Sequence, residues 1–260
     1  MRFALKDFAP VLATRDSEGR PFLLIGGQAV YKWANRYAAE EPGMEQWRPF
    51  TSKDIDFQGG RNEVIRLAKA LGVRAHFPDK RLMTALVGVV PFNIGGEPTT
   101  AEFLWSMPGV KRALAEKLAV EHEAYGLRLR VLDPVSLLAS KLYLALRVKQ
   151  DERRDVEHMR IMVLCVRAFL RETLRGVETG DLPARGWLGA IERVLKLAEA
   201  SRGLKAARDL EVDWIQALPL IEIAASTHRA AIQLREKRLP LWQTKLNRRL
   251  KTALAKPARQ

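Results

Sequence analysis

The chain has 260 residues, 44 of them Lys or Arg and 30 Asp or Glu, which gives a formal net charge of +14. That length allows one large domain or two ordinary ones, and 47% hydrophobic with 28% charged residues excludes a disordered or fibrous chain. The single cysteine, Cys165, excludes an internal disulfide and a cysteine-based zinc site.

The elements follow in chain order. The opening "MRFALKDFAPVLATRD" lacks a continuous apolar run of the secretory type. "RPFLLIGG" reads as a short buried strand closed by Gly26 and Gly27. "QAVYKWANRYAAEE" reads as a helix, because Val30, Trp33, Ala34 and Tyr37 form one apolar stripe. "EPGMEQWRP" is a loop by its Pro and Gly, and "KDIDFQGG" is a second strand. "RNEVIRLAKALG" predicts a helix with Val64, Ala68 and Leu71 on one face and Gly72 just past its end. "RLMTALVGVVPFNI" and "TTAEFLWSM" predict a hairpin around a four-residue loop, "GGEP". "LMTALVGVVPFNIGG", the longest apolar stretch, is too short to span a bilayer as a helix, so a cytoplasmic protein without a membrane partner is expected.

The texture changes near residue 130. "DPVSLLASKLYLALRVKQ" opens with Asp133 as N-cap and Pro134 at the first helical position. Helical periodicity then runs to the end, with breaks expected near "GVETGDLPARG", "DLEVDW" and Pro240. The expected organisation is α/β, or α+β: residues 1–130 with a small mixed sheet flanked by helices, then a helical domain over 131–260. Cys165, in "IMVLCVRAF", reads as a core residue. From His228 onward the chain is basic and amphipathic, with Glu236 its one acid. Such a tail either faces nucleic-acid phosphates or is a solvated helical face. The net charge likewise reads as attraction to polyanions or as a solubility device.

Chemistry concentrates in "TSKDIDF". Alternate strand residues share a side, so Asp54 and Asp56 project together, with Cα atoms roughly 6–7 Å apart, while Ile55 and Phe57 face the core. Two carboxylates on one side resist burial without a compensating cation, and a hard divalent ion, Mg²⁺ above all, suits oxygen donors. A wet edge strand is the plainer reading. The glycines add to it. "IGG" at a strand-to-helix junction lets backbone N–H groups approach an anion, and a phosphate cradle beside a metal site is what nucleotidyl transfer needs. No G-x-G-x-x-G and no Walker lysine is present. The four histidines show no ligand spacing.

On these residues the chain resembles the DNA-polymerase-β-type nucleotidyltransferase superfamily, whose first motif is a Gly-Gly or Gly-Ser turn, a helix and an Asp-x-Asp strand. "IGGQAVYKW…TSKDIDF" is similar to that motif. "DPVSLLASKLYLALRVKQDERRDVEHM" resembles the later motifs of the AbiEii-like group, the toxin half of abortive-infection and related toxin–antitoxin systems. The resemblance covers roughly residues 20–165. It implies a metal-dependent transferase using an NTP and two Mg²⁺ ions, or Mn²⁺, held by Asp54, Asp56 and Glu102. Gly26, Gly27, Gln28, Ser52, Lys53 and Lys141 would bind the nucleotide, and Lys141 and Asp155 take functional positions, with Asp151 a weaker candidate. It further implies a cognate antitoxin, and the net charge of +14 makes RNA, tRNA among them, the expected acceptor. Two features depart from the pattern. Glu102 stands where most members carry Asp, and 26 residues separate Gly27 from Asp54, with "AAEEPGMEQW" as the insertion.

Lys141 has a reading of its own. Leu137, Leu138, Leu144 and Ala145 are its helical neighbours, so it either snorkels or reaches an anion. Asp155 reads equally as a first-turn carboxylate on its own helix dipole. Two rival functions remain: a catalytically silent nucleotide- or RNA-binding protein on the same fold, and an antibiotic-modifying nucleotidyltransferase, which the positive charge disfavours.

Overall fold

Strand β1 (Leu23–Ile25) is buried along its whole length, and the chain turns directly from it into a helix. The computed structural model describes residues 2–79, 81–151 and 153–254. The last residues of the basic tail, 255–260, lie outside the described residues. The chain forms two units, Met1–Ala38 with Met44–Ser140, and Ala39–Gly43 with Lys141–Gln260.

The first unit holds α1 (Ala9–Leu12), β1, α2 (Gly26–Tyr37), β2 (Ile55–Gln58), α3 (Arg61–Leu71), β3 (Leu86–Ile94), β4 (Glu97–Leu104), α4 (Arg112–Leu118), β5 (Val120–Ala124), β6 (Leu127–Val131) and the start of α5 (Pro134–Arg147). Its strands make one mixed sheet in the order β3-β4-β2-β1-β6-β5. β2 runs antiparallel to β1 and parallel to β4, and β1 runs parallel to β6. The mixed sheet with helices agrees with the expected α/β class.

The predicted stripe of α2 is its core face: Val30, Trp33, Ala34 and Tyr37 are all buried. Trp33 stacks on Tyr37 and donates its indole N–H to the carbonyl of Leu132 at 2.8 Å. Phe22, Phe57 and Phe103 pack edge-on or tilted against one another. On α3 the buried residues are Val64, Leu67 and Ala68, while Leu71 is half-buried; Gly72 takes the left-handed conformation at its end.

Two expectations need correction here. The β3–β4 loop has two residues, not four: Gly95 and Gly96 both have positive φ, so they close the tightest hairpin and the strand resumes at Glu97. β2 starts at Ile55, so Asp54 stands in a bend just before it. The hairpin of β5 and β6 carries no expectation from the reading above; Tyr125 and Gly126 turn it, both with positive φ.

The second unit is helical: the rest of α5, α6 (Asp155–Glu178), α7 (Ala184–Glu199), α8 (Ser201–Asp209), α9 (Leu220–Ala225), α10 (Arg229–Gln233) and α11 (Leu239–Leu254). Cys165 is buried on α6, and burial pushes its thiol well above its ordinary value. Trp187, Trp214 and Trp242 are buried, each donating its N–H to a main-chain carbonyl, of Leu170, Gly203 and Leu195. The middle of the insertion belongs to this unit: Glu41 is buried there, paired with Arg167 and Arg171.

The expected breaks near 180 and 210 are present, but Pro240 does not break the helix. A π-helical turn, Leu234–Arg238, joins α10 to α11. A proline lacks the N–H and its ring collides with the carbonyl four residues back; a wider turn relieves both. An unexpected break falls at Ala200, whose extended backbone separates α7 from α8. Gly203 makes the corner possible, since a Cβ there would lie 2.1 Å from the Leu197 carbonyl oxygen.

Candidate active site

Three strands carry the site residues of the first unit. Ile25 on β1 is the register partner of Asp56 on β2, and Asp56 is the register partner of Glu102 on β4. Adjacent strands lie about 4.8 Å apart, and register partners share a face, so Asp56 and Glu102 stand side by side. Both are half-buried. Residues 46 apart in sequence thus place two acidic side chains next to each other on one face of the sheet.

Gly26 opens α2 against this pair. Its φ is +67°, and a Cβ there would lie 1.8 Å from Asp56 Oδ2. The position therefore admits glycine alone, both for its backbone and for the close approach of the carboxylate. The first N–H groups of α2, those of Gly26, Gly27 and Gln28, have no partner within the helix and carry the positive end of its dipole. The Gln28 side chain does not face outward: it is fully buried, and its Nε2 donates to the Phe3 carbonyl at 3.0 Å. What Gln28 can offer at the start of α2 is therefore its backbone amide.

Asp54 is oriented separately. The buried Ser52 hydroxyl donates to Asp54 Oδ1 at 3.0 Å, and Ser52 itself is fixed by a main-chain bridge to Phe3. Lys53 is exposed, and its carbonyl accepts the Thr99 hydroxyl at 2.6 Å. Thr99, unmarked by any motif, thereby ties β4 to the bend that carries Asp54. An open groove runs beside Asp54, lined by Lys53, Pro91, Phe92, Asn93, Thr99 and Thr100.

The donor set suits a hard cation: carboxylates only, two of them adjacent. The third is not gathered with them, and among the described residues no three His, Cys, Asp or Glu side chains converge as metal ligands.

In the second unit, Lys141 and Asp155 meet each other. The buried Lys141 ammonium donates to Asp155 Oδ1 at 2.9 Å, and the exposed Arg153 guanidinium to Oδ2 at 2.6 Å. The Asp155 N–H donates to the Gln150 side chain at 3.2 Å. Burial pushes the Asp155 carboxyl up, but the charge and hydrogen bond of Lys141, followed by Arg153, hold it below its ordinary value. Arg153 was not singled out by any motif, although it sits two residues before Asp155 in "RRD". Asp151 is exposed in the turn between α5 and α6.

No family model matches the chain, and no curated protein matches it. Among solved structures, the crystal structure of JHP933 from Helicobacter pylori is similar at 14% identity, covering 95% of this chain and 90% of that one, with a TM-score of 0.35. A likeness that weak carries no argument about this chain. No helix among the described residues is long and apolar enough to cross a membrane.

Proposed function

We propose that the chain is a metal-dependent nucleotidyltransferase that moves a nucleoside monophosphate from an NTP to an acceptor hydroxyl on RNA, tRNA foremost, acting as the toxin partner of a cognate antitoxin. One observation supports this most: β1, β2 and β4 bring Gly26, Asp56 and Glu102 together from three distant stretches, at the N-terminus of a helix.

In this reading Asp56 and Glu102 would hold Mg²⁺ or Mn²⁺, with Asp54, steadied by Ser52, drawn in as a third ligand. The bound ion supplies neutralisation of the triphosphate and a more acidic acceptor hydroxyl. The main-chain N–H groups of Gly26, Gly27 and Gln28 take phosphate oxygens, and Lys53 adds a positive charge beside Asp54. Glu102 accepts the proton of the acceptor hydroxyl as its oxygen bonds to the α-phosphorus, and the bond to the β-phosphate breaks to release pyrophosphate. Lys141, engaged with Asp155 inside the helical unit, is given no part in this reading.

The test is label transfer from each NTP, with Mg²⁺ and total RNA. Labelled RNA is expected with the wild type, and at least a ~100-fold loss with Asp56→Asn, the scale on which one transition-state charge contact acts. Absence of transfer to RNA, protein or small acceptors, or undiminished transfer by the variant, sinks the proposal.

Glu102 in place of the usual Asp favours a second reading, a silent nucleotide- or RNA-binding protein on this fold, and among the described residues no three ligands converge. It predicts NTP affinity, measured by calorimetry, that EDTA leaves unchanged; complete loss on adding EDTA counts against it.

A further inference from the structure

The surface of α8 and α11 carries an arrangement that nucleotidyl chemistry does not use. An open groove between them is lined by Ser201, Lys205, Arg208, Arg248, Arg249 and Thr252, over a floor of Leu204 and Ala253. α11 holds four Lys or Arg and no acid. Among the described residues, Lys205, Arg248 and Arg249 make no ion pair, whereas Arg208 is held by Asp209 at 2.5 Å. Other cations of this surface are otherwise engaged: Lys245 pairs with Glu199, Arg238 with Glu192, and Arg202 lies over the Tyr143 ring. The groove therefore keeps its positive charge while its neighbours are neutralised.

Crowding cations on two facing helices costs stability through repulsion, which a polyanion relieves. The inner faces are already spent on packing, since Leu204, Trp242 and Leu246 are buried. Among the described residues no aromatic ring lines the groove, so unstacked bases have nothing there to stack on. What it offers is guanidinium and ammonium donors with the Ser201 hydroxyl, the chemistry that meets phosphates and sugars without reading sequence.

We propose that the α8–α11 groove binds the phosphodiester backbone of a nucleic-acid double helix, without base specificity. It extends the transferase reading by giving the chain a grip on structured RNA, yet it stands without that reading, because binding needs neither NTP nor divalent ion.

The experiment is fluorescence anisotropy with a labelled 20-base-pair RNA duplex, its DNA counterpart and the single strand, in EDTA and without NTP, over a KCl series. Three variants are compared: Lys205→Gln/Arg248→Gln/Arg249→Gln; a control that removes equal charge from exposed positions of the first unit, Arg66→Gln/Lys69→Gln/Arg74→Gln; and the charge-retaining Arg248→Lys/Arg249→Lys. The groove triple is expected to weaken duplex binding on the order of 10–100-fold and to flatten the salt slope by about 2–3. The control and the charge-retaining variant stay within about 2-fold, and the duplexes bind at least as tightly as the single strand. No duplex binding by the wild type, equal weakening by the two triples, or preference for the single strand overturns the proposal. Failure here leaves label transfer untouched, and failure of label transfer leaves this binding untouched.

Discussion

The two units treat carboxylates in opposite ways. In the helical unit two deeply buried acids are gripped by cations: Glu41 by Arg167 and Arg171, Asp155 by Lys141 and Arg153. In the sheet unit Asp56 is set in register beside Glu102, acid against acid, under the N-terminus of α2. The first arrangement is complete in itself and serves the fold. The second sets two acids side by side across β2 and β4, where the proposed function would draw in a hard cation. The proposed function gives the two arrangements different roles, the first in the fold and the second in the site.

The largest effect should come from breaking a gripped acid. Asp155→Ala leaves the Lys141 ammonium buried without that carboxylate, and a loss of about 3–5 kcal/mol is expected in denaturant unfolding. Replacing both partners, Lys141→Met with Asp155→Leu, should cost much less; equal loss from both variants erases the distinction drawn between the units. The same pair has a pH signature. The folded Asp155 carboxyl lies below its ordinary value, so its contribution is full above the ordinary carboxylate range and is lost as pH falls through the folded value. The stability gap between wild type and Asp155→Asn should narrow on acidification, and a gap that widens contradicts the assignment.

Gly26→Ala comes next and probes the other unit. The left-handed backbone alone costs about 1–2 kcal/mol, and the new Cβ must displace the Asp56 carboxylate. Thermal unfolding should report that loss, and transfer activity should vanish even where the variant remains folded. The smallest effect is a control within the same unit. Asp133 is buried too, but its Oδ1 accepts the main-chain N–H groups of Val135 and Ser136 at 3.1 and 3.2 Å. Asp133→Ala should cost about 1 kcal/mol and leave transfer intact; loss of transfer in a folded Asp133→Ala would mean that the acids of the first unit do not divide by role.

Much of this was legible in the sequence because its signals are local. The stripe of α2, the Asp133–Pro134 helix start and the Gly72 stop each follow from spacing within a few residues. Asp56 and Glu102 could be named but not placed together, since their neighbourhood depends on a parallel pairing no local pattern encodes. The tie of Lys141 to Asp155 was hidden because it depends on how the turn after α5 brings the start of α6 back to it, although both residues stood out. The β5–β6 hairpin was missed despite a period-2 signal in "LRLRV", because Tyr125 is an uncommon residue at positive φ. Pro240 misled because the π turn before it removes the clash that makes proline a helix breaker.

Mn²⁺ binding tests the central claim most directly, because the ion can be counted by the loss of its free electron-paramagnetic-resonance signal without any knowledge of nucleotide or acceptor. Titration of the wild type should show bound Mn²⁺, increased by NTP, and both Asp56→Asn and Glu102→Gln should abolish that binding while the protein stays folded. Equal Mn²⁺ binding by the wild type and both variants, or none by the wild type with NTP present, would contradict the account.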